Sequence, residues 1–178
     1  MEESLSSTFF IIRPGKKEDV PHILALVRSL AEYERLAHLV VCDEAAYLKY
    51  GFGPQAYFQT LLVESVSVQP SAFLGFALYF FTFSTFLGKP TLYLEDLFVL
   101  PQYRQRGIGK SLLRELAKIA VEKDCGRMEW SVLGWNQLAI DFYEKLGAKP
   151  QTEWTLFRLE EPQIRQLAGL PTRRESSG

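Results

Sequence analysis

One junction near the middle of the chain constrains the fold more than any other feature. Thr91–Leu100 is a run rich in apolar and aromatic residues, the composition of a strand. Pro101 follows at once, then Arg104-Gln105-Arg106-Gly107-Ile108-Gly109-Lys110, where a helical pattern begins. Ile108, Leu112, Leu116, Ile119 and Ala120 share one helical face, and Lys110, Arg114, Glu115, Lys118 and Glu122 fill the other. The first turn of such a helix leaves backbone N–H groups without intrahelical partners at the positive end of its dipole. Glycines at 107 and 109 let the chain bend tightly and bring backbone close to a ligand. A strand, a glycine turn and a helix start therefore make a pocket for phosphate oxygens, with Arg104, Arg106 and Lys110 adding positive charge.

The surrounding pattern is mixed. Phe9–Arg13 reads as a short strand stopped by Pro14 and Gly15, and Val20, Ile23, Leu24, Val27, Leu30 and Ala31 recur at helical spacing. Asp43 is placed to cap a second helix ending near Gly51. Tyr57–Ser67 and Phe73–Phe83 read as strands around a turn near Pro70, and Arg127–Leu133 as another. Asn136 caps a helix carrying Ala139, Phe142, Tyr143 and Leu146, with Gly147 just past its end. Trp154–Leu159 is expected to be a last strand, and Pro162 opens a terminal helix. The order describes a mixed sheet with helices packed on it.

A chain of 178 residues suits one domain, expected over 9–170, with 1–8 and 171–178 as loose polar ends. A formal charge of −1 gives no general attraction to nucleic acid. The chain has no apolar run of the roughly 18 residues that span a membrane, and Met1–Thr8 has no apolar signal core. A cytoplasmic protein with reduced Cys42 and Cys125 is the expectation. His22 and His38 are isolated and receive no chemistry, and no metal site is expected.

Two chemistries use a turn of this kind. The nucleotide-hydrolase loop G-x-x-x-x-G-K-[ST] matches at Gly109-Lys110-Ser111, but its first glycine falls on Arg104. The pyrophosphate loop of acetyl-CoA-dependent transferases, [QR]-x-x-G-x-[GA], matches completely at Arg104 to Gly109 and follows the correct element. The plain alternative is a turn whose glycines serve geometry only.

The flanking residues decide between them. Tyr93-Leu94-Glu95-Asp96-Leu97-Phe98-Val99 followed by Tyr103 to Gly109 resembles the central motif of the GNAT superfamily, above all its diamine acetyltransferases, which include the spermidine/spermine and thialysine enzymes. Leu30-Ala31-Glu32-Tyr33-Glu34, Gly51-Phe52-Gly53, Phe76 to Thr82, Trp135-Asn136 and Asp141 to Ala148 extend the likeness from about Phe10 to Leu167. The resemblance implies an α+β fold of three layers, with a mixed, mostly antiparallel sheet splayed at its centre and helices on both faces. It implies that acetyl-CoA enters the splay. Leu97, Phe98 and Val99 would then pair with the pantetheine arm, and Arg104, Gln105, Arg106, Gly107, Ile108, Gly109 and Lys110 would form the pyrophosphate loop. Asn136 and Tyr143 would lie near the thioester. A homodimer is also implied.

An amine attacks only when neutral, and a lysine-like amine has a pKa of about 10.4, so the site must take up a proton. Glu95 is the expected base and Tyr143 the expected acid for the departing thiolate, with the amide of Phe98 on the thioester oxygen. In a regular strand only one of Glu95 and Asp96 faces the reacting amine; a bulge changes that. The plain alternatives are a solvated strand edge and a core tyrosine. Tyr33, Glu34, Ser84, Glu95, Asp96, Glu153 and Trp154 are the expected substrate contacts. Their carboxylates suit a cation with more than one ammonium group. Ser84 stands where polyamine-specific relatives carry an acid, which favours a thialysine, ornithine or short diamine substrate. A protein or peptide N-acetyltransferase and a non-catalytic acyl-CoA-binding module are the competing readings.

Overall fold

The computed structural model describes residues 9–67 and 72–171. The expected end 1–8, all but the first residue of the expected end 171–178, and the turn at Pro70 lie outside the described residues. The chain divides into two compact units, one ending at Ser131 and the other beginning at Val132.

The first unit is built on a five-stranded sheet in the order β1-β2-β3-β4-β5. Its strands are β1 (Phe10–Pro14), β2 (Gln59–Ser65), β3 (Phe73–Ser84), β4 (Lys89–Val99) and β5 (Arg127–Trp130), and its helices α1 (Val20–Tyr33), α2 (Glu44–Phe52) and α3 (Ile108–Glu122). The first four strands are antiparallel, while β5 runs parallel to β4 and pairs only with Thr91 to Leu94. Beyond Leu94 the two strands part, and β4 continues from Glu95 to Val99 without β5 beside it. This is the central splay that the resemblance implies.

Alternation along the strands sends Phe76, Leu78 and Phe98 to one face, where they form a buried cluster with Leu62 and with Ile23 and Leu26 of α1. On the other side, α3 packs along β4 and buries Ile108, Leu112, Leu113, Leu116 and Ala120. The α2 helix starts where the sequence places it: Asp43 accepts a hydrogen bond from the Ala46 amide at 2.8 Å. Gly75 is required by close approach, since a Cβ there would meet the Phe98 carbonyl oxygen at 2.5 Å.

The second unit carries α4 (Gln137–Lys145) and α5 (Glu161–Leu167). Asn136 caps α4 by accepting from the Ala139 amide at 3.3 Å, and Gly147 adopts a left-handed φ of 91°. The expected strand Trp154–Leu159 is not formed: among the described residues the segment pairs with no other strand. Its apolar side chains are exposed, Trp154 at 79% and Phe157 at 90%. β-propensity needs a neighbouring strand to be realised, and this segment has none to pair with.

Candidate active site

The site begins with an irregularity in β4. Leu78 pairs with Asp96 and Tyr79 with Leu94, so Glu95 is left without a partner, a β-bulge. The extra residue puts Asp96 on the face that carries Phe98, towards α1 and α2. Glu95 remains exposed at the kink while Asp96 is half-buried. The Asp96 carboxyl is pushed up to about 7, chiefly by burial and then by the negative charges of Glu95 and Glu34. Burial also raises the pKa of Glu34, which follows the end of α1. The Tyr47 phenol of α2 is raised too, first by burial, with added repulsion from Cys42, Asp96 and Glu95. Three carboxyls and a phenol thus gather on one face of the sheet, where β4 and β5 part.

The glycine turn follows the end of the same strand. After a tight turn at Pro101–Tyr103, Gln105 and Gly107 take left-handed conformations, with φ of 62° and 80°. Gly107 caps α3, and a Cβ at that position would meet nothing within 4 Å. Space is therefore open beside the start of α3, where the amides of Ile108, Gly109 and Lys110 have no carbonyl one turn earlier to accept from them. Left-handed backbone, open space and amides at a helix start fit a diphosphate.

The strand edge fits the rest of such a molecule. The Leu100 amide donates to the Leu74 carbonyl at 2.9 Å, which fixes the alternation of the ladder. Phe98 accordingly directs its peptide groups at β3, and Leu97 and Val99 direct theirs at the opening. The Val99 carbonyl accepts from Arg104 Nε at 2.9 Å. The Phe98 amide, expected at a thioester oxygen, is turned to the β3 side, whereas the Leu97 amide faces the opening.

A family model described as the acetyltransferase (GNAT) family matches residues 26–148. The chain belongs to the GNAT acetyltransferase family.

The acetyltransferase is 40% identical over 168 residues to a thialysine N-epsilon-acetyltransferase of Bos taurus, covering 90% of this chain and 98% of the relative. It is 33% identical over 193 residues to an L-ornithine N5-acetyltransferase of Arabidopsis thaliana, covering 85% and 84%. An integron cassette protein from the mobile metagenome of V. cholerae has the same fold, with a TM-score of 0.74 at 25% identity over 90% of this chain and 98% of the other. Membership makes the chain an enzyme of acetyl-CoA-dependent N-acetyl transfer, similar to the thialysine enzymes.

The remaining expected residues fall into three groups. Glu34, Glu95 and Asp96 are brought together. Tyr33 precedes Glu34 in sequence, but its ring is covered by the Arg104 guanidinium, 4.3 Å from the ring centroid. Ser84 is set apart: it closes the β3–β4 turn, where its buried Oγ accepts from the Leu87 amide at 3.3 Å. Six residues of β3 separate it from Leu78, roughly 20 Å of strand. Asn136, Tyr143, Glu153 and Trp154 belong to the second unit. There Tyr143 lies on α4 with its ring centroid 5.4 Å from that of Phe142.

Two residues were missed by sequence reasoning. Tyr47 gave no signal, since an aromatic residue on a short helix reads as core. Tyr93 shares a 3.1 Å hydrogen bond with Ser131 just where β4 and β5 separate, and only the strand pairing reveals that position. Among the described residues no cluster of three or more His, Cys, Asp or Glu side chains is placed to hold a metal ion, and no helix is long and apolar enough to cross a membrane.

Proposed function

We propose that this acetyltransferase acetylates a primary amine of a small cationic substrate, a thialysine-, lysine- or ornithine-like amino acid or a short diamine. The observation that carries the reading is the gathering of Glu34, Glu95 and Asp96 at the bulge of β4, next to the parting of the sheet. A partly buried acidic pocket attracts a cation and repays part of its desolvation. A half-buried Asp96 that titrates near neutrality suits a second ammonium group, whose arrival would favour the ionised carboxylate.

Acetyl-CoA supplies the acetyl group as a thioester. The amides of Ile108, Gly109 and Lys110 would hold its diphosphate, with Arg106 and Lys110 adding charge, and Leu97 and Val99 would pair with its pantetheine arm. Glu95 accepts the proton from the bound ammonium, directly or through water, so that the nitrogen lone pair is free to attack the thioester carbon. The Leu97 N–H donates to the carbonyl oxygen as negative charge develops there. The family resemblance gives Tyr143 the role of donating the proton that the leaving sulfur takes up. The products are the N-acetylated amine and coenzyme A: one ammonium proton has passed to Glu95, and the second, lost from nitrogen as the tetrahedral adduct collapses, replaces the proton that Tyr143 gave to sulfur. The exposed apolar side chains at 154–159 support assembly as a homodimer.

The test is a rate assay with acetyl-CoA on thialysine, lysine, ornithine, putrescine and spermidine, alongside lysine-containing peptides and N-terminal peptides. Saturable release of thiol with the free amines is the expected result. Turnover on peptides alone would overturn the reading.

A further inference from the structure

The Arg104 side chain is not directed at the start of α3. Its contacts lie outside its own turn. Nε donates to the Val99 carbonyl at 2.9 Å, and the guanidinium lies 4.3 Å from the Tyr33 ring centroid and 5.6 Å from that of Phe98. Tyr33 and Phe98 are themselves neighbours, with ring centroids 6.4 Å apart. Tyr33 is the last residue of α1, and Glu34 is the next. Arg104 therefore connects the phosphate turn to the residue that places a carboxyl of the amine pocket. The turn needs an anchor, because Gln105 holds a left-handed φ of 62° that a residue with a Cβ adopts at a cost. A cation stacked on a tyrosine face is such an anchor.

We infer that the Arg104–Tyr33 stack couples the two halves of the site, so that coenzyme A and the amine each strengthen the binding of the other. This rests on the amine-acetyltransferase reading above. A diphosphate on the amides of Ile108 to Lys110 selects the left-handed form of the turn. In that form Arg104 reaches Tyr33, and the end of α1 with Glu34 is held beside Asp96. When the turn leaves that form, the stack opens and Glu34 is freed. Differential binding of one ligand to the closed arrangement is what makes the other bind better, and the effect is reciprocal. Tyr33 and Arg104 are positioning residues in this scheme, since the ring acts through Glu34 and the guanidinium through the ring.

Calorimetry tests it, with coenzyme A and thialysine as the probes, each titrated alone and in the presence of the other at saturation. In the wild type, saturating coenzyme A should lower the Kd of thialysine about five- to tenfold, and thialysine should lower that of coenzyme A by the same factor. Tyr33→Phe keeps the ring face and should retain that factor to within about twofold. Tyr33→Leu and Arg104→Met should each abolish the coupling while both ligands still bind, and the double variant should be no worse than either single one. Should Tyr33→Leu not fold, Arg104→Met, altered in a surface turn, decides the question. Full coupling in Arg104→Met, or independent binding of the two ligands in the wild type, overturns the inference and leaves the acetyltransferase reading intact. A wild type that binds no coenzyme A overturns both.

Discussion

The acidic pocket gathers around β4 and the glycine turn follows that strand, yet the two suit charge by opposite means. The pocket uses side chains: Glu34, Glu95 and Asp96 are forced together, and burial keeps the Asp96 pKa near 7. The turn uses backbone: Gly107 at a φ of 80° opens space beside amides whose orientation is set by α3. Side-chain recognition of this kind depends on pH and on the packing around each carboxyl. Backbone recognition depends on φ and on empty space, and neither titrates.

A substitution in one region should act first on that region's own ligand, and the largest effect should come from the pocket. Glu95→Gln removes the proton acceptor and should lower kcat on thialysine about 10²- to 10³-fold. Coenzyme A affinity, read by calorimetry, should stay within about twofold, because the amides of the turn are untouched. On the other side, Gly107→Val places a branched side chain where φ is 80° and in the space proposed for the diphosphate. The KM for acetyl-CoA should rise about tenfold or more, and the positive φ should cost roughly 1–2 kcal/mol of stability in urea melts.

The pH dependence sharpens the contrast. Asp96 carries a raised pKa in the folded chain, about 7 against 3.8 for the unperturbed group. The folded state therefore holds a proton that the unfolded state has lost between those values. Its stabilising contribution is complete below about 3.8 and is lost as pH rises through about 7. Asp96→Asn should therefore gain stability relative to the wild type as pH is raised across that window, as denaturant titrations at pH 5 and pH 8 would reveal. In the wild type the KM for a diamine should rise below pH 7 and the same variant should flatten that rise, while the KM for acetyl-CoA keeps its own pH profile. The smallest effect belongs to the scaffold. Asp43→Ala deletes the cap of α2, the helix that carries Tyr47, and should cost about 1 kcal/mol of stability.

The two regions also differ in how far the sequence reveals them. The turn was readable because its determinants are local: the Arg104 to Gly109 pattern, the strand before it and the helix face after it occur in one continuous stretch. Capping by Asp43 and Asn136 was readable for the same reason. The pocket was legible only in part. The doublet Glu95-Asp96 stands out, but its joint use depends on a register shift against β3 that the order of residues in β4 does not specify. Tyr47 and Ser131 enter through tertiary pairing alone. The Arg104 motif position suggested a phosphate ligand, whereas the side chain is taken up by Tyr33 and by the Val99 carbonyl, a contact made through the path of the chain after Val99. Trp154–Leu159 failed for a related reason: a strand is defined by its neighbour, and the composition of one segment does not provide that neighbour.

The claim on which the rest depends is that the start of α3 holds the diphosphate of coenzyme A. Calorimetric titration of the purified chain with coenzyme A, and in parallel with pantetheine, which lacks the diphosphate, tests it most directly. The account predicts one molecule of coenzyme A per chain, with pantetheine binding at least about tenfold more weakly. Equal affinity for the two would contradict it.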